Sequence, residues 1–247
     1  MTGVLVLLRH GESTANRANR FTGLLDVPLT GRGEHQARAA AALLQVHGIV
    51  PDIAFTSTLQ RAVRTSELVR ATLGSDYPAE QVWQLNERNY GALTGQTKTQ
   101  ARAELGDVEF GRLRRSLRGR PPAMSLRLWV ALRCSPALRG LPAVAVRRTE
   151  ALSDVVDRLR PVLLERLLPL VREGQIVLVV AHGNSLRALC ACIDHLSEQE
   201  LEALNLPTGQ PLRYDLDPTG AFSPRGGLYL DPTASDAAAA VAAEGGT

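Results

Sequence analysis

Two short runs, VLVLL at Val4–Leu8 and IVLVVA at Ile176–Ala181, restrict the fold of this chain more than any other feature. Each is continuously apolar rather than alternating, and too short for a helix of ordinary length. That is the pattern of a strand covered on both faces, as in a parallel sheet. Asp52–Phe55 is a third strand of this kind. Helical patterns lie between them: Thr30 to Val46 has Ala37, Ala40, Ala41 and Leu44 at helical spacing, and Ser57-Thr58-Leu59-Gln60 reads as a capping box opening a helix through Val69. Thr149 to Val171 is helical with Pro161 and Pro169 expected to kink or break it, and Ser185 to Ile193 is another helix. Leu212–Leu216 and Gly227–Leu230 read as late strands near one edge. The expected fold is α/β, a mostly parallel central sheet with helices on both faces. Residues 1–231 form one domain in this reading, and the Ala-rich residues 232–247 form a frayed tail.

Both apolar runs stop on unusual chemistry, Arg9-His10-Gly11 and His182-Gly183-Asn184. In open parallel sheets the ligand crevice lies beyond the carboxyl ends of the strands. Arg61, in the first turn of the helix after the third strand, would reach the same rim, so two arginines and two histidines converge there. Ser13, Asn16, Thr22 and Gly23 add short polar groups and flexible backbone suited to phosphate oxygens. His35, His47 and His195 read as ordinary boundary residues. A metal centre is disfavoured, because only Glu12 and Glu87 offer a third ligand and the arginines repel a cation. Arginines instead grip anionic oxygens bidentately, which points to a phosphate ester or a carboxylate. Near fixed positive charge an imidazole stays neutral and keeps the lone pair needed to attack phosphorus, so a histidine nucleophile is expected. Arg9, Arg61 and a protonated His182 would neutralise the equatorial oxygens. A carboxylate in LNERNYG, Glu87, would protonate the leaving oxygen.

Composition bounds the remaining classes. The chain has 247 residues, 45% of them hydrophobic, three cysteines that cannot all pair, and no signal peptide or membrane span, so a cytoplasmic location is expected. Its net charge of +3 does not argue for nucleic acid, since ten arginines and no acidic residue fall between Arg112 and Arg148 and the rest of the chain is acidic. Lys98 is the only lysine.

With these residues in view, the chain resembles the histidine phosphatase superfamily, and within it the cofactor-dependent phosphoglycerate mutases. The stretches LLRHGES, FTG, TSTLQRAVRT, LNERNYGALTGQTK, AHGNSLRAL and LNLPTGQPLRYDLD match in order and spacing. The resemblance implies that His10 is phosphorylated in turnover, Glu87 is the general acid and base, and His182 stabilises the transferring group. It places Arg9, Ser13, Asn16, Thr22, Gly23, Arg61, Tyr90, Lys98, Arg114, Arg115, Gly183 and Asn184 around substrate. It further implies interconversion of 3-phosphoglycerate and 2-phosphoglycerate in glycolysis and gluconeogenesis, primed by 2,3-bisphosphoglycerate without metal, in a homo-oligomer (dimer or tetramer). A phosphatase or bisphosphoglycerate synthase on the same scaffold, or a silent anion-binding relative, are the alternatives.

The likeness fails from Leu117 to Arg148. From Ser116 onward this segment has no Asp, Glu, Lys, Asn, Gln, His, Ile or Tyr. A compensating pair of frameshifts near Ser116 and Arg148, or a diverged basic loop, accounts for such a composition. Without acidic partners of its own, and with Leu126, Leu128, Trp129 and Val130 lacking assured burial, the segment is expected to be poorly ordered, a leaky lid.

Overall fold

The computed structural model describes residues 3–243. Six strands, β1 (Val4–Arg9), β2 (Ile53–Thr56), β3 (Ala79–Gln81), β4 (Ile176–Ala181), β5 (Pro211–Leu216) and β6 (Phe222–Tyr229), form one sheet in the order β3-β2-β4-β1-β5-β6. The first four in that order run parallel, and β5 and β6 add an antiparallel edge. The helices are α1 (Thr14–Arg17), α2 (Gly31–Val46), α3 (Gln60–Leu73), α4 (Lys98–Arg115), α5 (Leu126–Arg133), α6 (Leu152–Val162), α7 (Leu168–Arg172), α8 (Gly183–Asp194), α9 (Glu198–Ala203) and α10 (Ala234–Ala243). No helix among the described residues is long and apolar enough to cross a membrane.

The continuous apolar runs are explained by two cores. Leu5 and Leu7 of β1, with Val177 and Val179 of β4, face a cluster built with Val155 and Leu159 of α6 and Leu186 and Leu189 of α8. Val4, Val6 and Leu8, with Leu178 and Val180, face the opposite cluster with Ala40, Ala41 and Leu44 of α2 and Ala62 and Val69 of α3. Successive side chains of a strand point to opposite faces, so a sheet covered on both sides needs an apolar residue at every position.

Several local expectations change. Strand β3 has no apolar signal, its three residues being exposed at the sheet edge. Ser57 does not cap α3; the first turn of that helix is held by Asp26, whose Oδ1 accepts the Gln60 N–H at 2.7 Å. Pro161 is accommodated inside α6, and a π-helical turn at Leu163–Leu167 carries the chain into α7 with Pro169 in its first turn. Helix α4 kinks at Gly106, whose φ of 74° is left-handed. Residues 234–243 form α10 where a frayed tail is expected from composition, and residues 244–247 lie outside the described residues.

The arginine-rich segment is also more structured than its composition suggests. Met124, Leu132, Leu138, Ala145 and Val146 close a small core with Leu24 and Leu59, against which Leu128 and Trp129 pack. The Trp129 indole donates to the Val146 carbonyl at 2.6 Å. Leu126 and Val130 lie on the open side of α5, 62% and 51% exposed, so only half of the apolar set lacks burial. The acidic partners come from elsewhere in the chain: Asp154 pairs with both Arg120 and Arg147, at 2.7 and 3.2 Å, and Glu198 approaches Arg118.

Candidate active site

Register assembles the site. Parallel pairing of β1 with β4 sets Arg9 beside Ala181, so the next residues, His10 and His182, leave the sheet together; the His10 N–H donates to the Ala181 carbonyl at 3.0 Å. The two rings lie edge to face with centroids 4.9 Å apart, His10 only 4% exposed and His182 fully buried. Gly11 lets the chain turn under α2, because a Cβ there would lie 2.1 Å from the Gly33 carbonyl oxygen.

His10 Nδ1 is 2.7 Å from the Gly11 carbonyl oxygen. A carbonyl only accepts, so Nδ1 carries the ring hydrogen and Nε2 holds the lone pair. Burial, then the nearby Arg61 and Arg9 guanidinium groups, hold the His10 pKa well below its ordinary 6.5, so the ring is neutral near pH 7. The same holds for His182, depressed by burial and by Arg61, His10, Arg9 and Arg158. His182, like His10, is thus neutral in the resting protein, whereas the sequence reading expects a protonated ring beside the phosphoryl oxygens.

Arg61 projects from α3 and is 1% exposed; it donates to the carbonyls of Leu25 and Gly23 at 2.8 and 3.0 Å, and burial brings its pKa to about 10. Arg9 donates to the Leu206 carbonyl at 2.7 Å. Among the described residues, Arg9 Nε, Arg61 Nε and His182 Nδ1 are buried without a hydrogen-bond partner. The site thus contains buried N–H groups with nothing to donate to, which fits the oxygens of an anion such as a phosphoryl group. The N-terminus of α8, with Gly183 and Asn184 in its first turn, opens at the same strand end and is favourable to negative charge.

Burial lowers the pKa of both Arg9 and Arg61, and the charge of nearby Glu87 opposes that shift. Its Oε1 accepts from the Arg88 backbone N–H at 2.7 Å and from Asn184 Nδ2 at 3.2 Å, and the same Asn184 nitrogen donates to the Tyr90 hydroxyl at 2.7 Å. Glu12, considered above as a metal ligand, is instead held by the Thr30 hydroxyl at 2.7 Å. Among the described residues no three His, Cys, Asp or Glu side chains are placed to hold a metal ion.

Other sequence-selected residues divide. Ser13 and Asn16 form a reciprocal cap on α1, each side chain bonding the other's backbone N–H. Gly23 has φ 51° and supplies a carbonyl to Arg61; Thr22 precedes it, half-buried. Lys98 opens α4, its N–H on the Asn19 carbonyl. Arg114 stacks over Phe21 and Phe110, with its guanidinium carbon 5.7 and 5.1 Å from the ring centres. Arg115 turns toward α9, donating to Asn205 Oδ1 at 2.8 Å and to the carbonyls of Glu202 and Leu204. Both arginines rest on these partners, and Arg114 lies close enough to Arg9 for its charge to add to the lowering that burial imposes on the Arg9 pKa.

Four residues had no local signal. Arg158 and Glu150 form a pair only 10% and 7% exposed; Glu150 accepts the Asn89 N–H at 2.8 Å, and Arg158 donates to the Asn86 carbonyl at 2.8 Å and to that of Gln84. Together they clamp the loop that carries Glu87. Arg187, three residues after Asn184 on α8, fixes the Asn184 amide by donating to its Oδ1 at 3.0 Å. Ser57, read as a cap, places its Oγ 2.7 Å from His182 Nε2.

Comparison with known proteins agrees with this geometry. The sequence profile of the histidine phosphatase superfamily (branch 1) matches residues 5–145. A 2,3-bisphosphoglycerate-dependent phosphoglycerate mutase of Corynebacterium diphtheriae is 44% identical over 246 residues, 99% of this chain and 98% of that protein. One from Thermobifida fusca is 44% identical over 234 residues, 94% of each. Among solved structures, a mycobacterial glucosyl-3-phosphoglycerate phosphatase in complex with VO3 superposes with a TM-score of 0.65 at 25% identity, covering 86% of this chain and 92% of that one.

Proposed function

We propose, from the premise that the chain belongs to the histidine phosphatase superfamily, branch 1, that it is a 2,3-bisphosphoglycerate-dependent phosphoglycerate mutase of glycolysis and gluconeogenesis. The observation that carries the reading is a neutral His10 with its lone pair on Nε2, set among buried N–H donors that have no partner among the described residues. Such a pocket suits an anionic phosphoryl group and a nitrogen nucleophile.

In this reading His10 Nε2 attacks phosphorus; the N–P bond forms as the P–O bond to the departing alkoxide breaks. Arg9 and Arg61 neutralise the equatorial oxygens, and His182 donates a further hydrogen bond. Glu87 gives its proton to the leaving oxygen, and in the return step takes the proton of the hydroxyl that attacks phospho-His10. 2,3-Bisphosphoglycerate supplies the phosphoryl group that charges His10, and Arg9, Arg61, Asn184 and the α8 N-terminus are the groups that would hold it. The chemistry needs alignment and charge neutralisation rather than a metal.

A coupled assay with and without added 2,3-bisphosphoglycerate, together with mapping of an acid-labile, alkali-stable phosphoenzyme, tests this. Mutase turnover stimulated by the bisphosphate, label on His10, and loss of label in His10→Ala are expected, with activity unchanged by a chelator. Label retained in the alanine variant, or activity restored to a chelated enzyme only by a divalent cation, would refute it.

A further inference from the structure

We propose that Ser57 is a positioning residue that sets the tautomer of His182, so that His182 presents a neutral Nδ1–H to the transferred phosphoryl group while His10 presents a lone pair. The inference rests on the functional reading above only for the identity of the acceptor. The tautomer follows from the hydrogen bonds of one hydroxyl.

Ser57 is fully buried, and its Oγ has two neighbours within hydrogen-bond distance, the Leu59 N–H at 3.2 Å and His182 Nε2 at 2.7 Å. A backbone N–H can only donate, so Leu59 takes one lone pair of Oγ. The hydroxyl hydrogen then has a single acceptor available, His182 Nε2. Nε2 must hold a lone pair, and the ring hydrogen of the neutral imidazole sits on Nδ1. That nitrogen is buried and has no partner among the described residues. A buried donor left unsatisfied is costly, and the cost is removed when an anionic oxygen accepts from it. His10 also carries its hydrogen on Nδ1, but there that N–H is used within the protein, donating to the Gly11 carbonyl. The two adjacent imidazoles thus share the Nδ1–H tautomer but leave different nitrogens for the ligand, the Nε2 lone pair of His10 as a nucleophile and the Nδ1–H of His182 as a donor.

The sheet explains why a serine at this position reaches that nitrogen. Parallel pairing of β2 with β4 matches Thr56 to Val180, so Ser57 leaves its strand beside the point where His182 leaves the neighbouring one. Asp26 takes over the first turn of α3, which frees the serine hydroxyl from capping duty. Among the described residues no other donor is placed on His182 Nε2, so removal of the Ser57 hydroxyl removes what holds the tautomer.

The test is the two-bond proton–nitrogen NMR spectrum of the 15N-histidine-labelled protein near pH 7.5, with His182 assigned by its loss in His182→Ala. The wild type should show His182 with hydrogen on Nδ1, and adding vanadate should move that N–H downfield. Ser57→Ala should shift His182 toward the Nε2–H form and lower kcat about a hundredfold, the scale of losing one aligned transition-state donor, with KM changed far less. Ser57→Thr, which keeps the hydroxyl, should retain the Nδ1–H form and most of the activity. A wild-type spectrum with His182 hydrogen on Nε2 overturns the proposal without recourse to any variant, as does Ser57→Ala with an unchanged tautomer. The tautomer is read on the resting protein. Absence of mutase activity beside a correct tautomer would therefore count against the functional reading and not against the role of Ser57.

Discussion

Removing the Glu150 carboxylate should both destabilise the fold and loosen the loop that holds Glu87. Glu150 accepts the Asn89 N–H at 2.8 Å and the Arg158 Nε at 3.1 Å, and neither side chain of the pair is more than 10% exposed. In Glu150→Ala the Arg158 charge stays buried, bonded to the Gln84 and Asn86 carbonyls but without a counter-charge. Stranding one member of a buried pair costs about 3–5 kcal/mol. The orphaned Asn89 N–H adds about 1–3 kcal/mol unless water reaches it, so about 3 kcal/mol is the expected minimum. For a chain of this size each kcal/mol is worth roughly 2–4 °C, so a loss of about 3–8 kcal/mol should lower the melting midpoint by about 6–32 °C. Urea melts read the loss directly, as a lower midpoint at unchanged slope. Glu150→Ala/Arg158→Met should recover part of the stability, because no isolated charge remains. Neither variant should recover kcat, since the Glu150 side chain no longer holds Asn89 in either and the double variant also loses the Arg158 bond to Asn86. A loss under about 1 kcal/mol, or a double variant no more stable than the single, would refute the account of the pair as a buried clamp.

Other perturbations have defined outcomes. Glu87→Gln should lower mutase turnover by about a hundredfold or more while leaving inorganic phosphate binding, measured by calorimetry, near the parent value; turnover within a few-fold would exclude Glu87 as the acid and base. Gly91→Ala should destabilise the chain by at least ~1–2 kcal/mol in urea melts, the cost of a side chain at left-handed φ. The φ at Gly91 is 58° and its new Cβ would lie 2.1 Å from the Pro122 carbonyl oxygen. A wild-type midpoint would show that the Ser116–Arg148 segment does not rest on this loop. Stability should also depend on pH. His10 and His182 have folded pKa values below 6.5, so between those values and 6.5 the unfolded chain binds more protons. Their contribution is complete above about pH 6.5 and is lost on acidification at about 1.4 kcal/mol per pH unit for each ring. Urea midpoints from pH 7.5 to 5 should fall more steeply for the wild type than for the His10→Ala/His182→Ala variant; equal slopes would contradict the buried neutral histidines.

What could be read along the chain was whatever depends on neighbours a few residues away. The continuous apolar runs marked β1 and β4, the spacing of Ala37, Ala40, Ala41 and Leu44 marked α2, and the polar residues ending both runs marked the rim where His10 and His182 meet. Strand β3 left no such mark, because a three-residue exposed edge strand buries nothing on its own. The Ser116–Arg148 segment misled for a related reason. Its composition lacks acids, but Asp154 and Glu198, which answer its arginines, lie outside it.

Roles inside the site were decided by register and packing. A Ser-Thr-Leu-Gln sequence has the form of a helix cap, and only the pairing of β2 with β4 turns Ser57 onto a histidine 125 residues away. Arg114 and Arg115 are adjacent, yet one stacks on Phe110 and the other bonds α9, because neighbouring residues on a helix point about a quarter-turn apart. The sequence by itself determined which chemical groups stand at the strand ends, since backbone periodicity and burial are local or nearly so. Which nitrogen of each histidine carries hydrogen, which arginine meets an oxygen and which carboxylate is held by a clamp were decided only in the tertiary structure. Hydrogen bonds and desolvation depend on distances of a few ångströms between residues far apart in the chain, and those distances exist only after the sheet has closed.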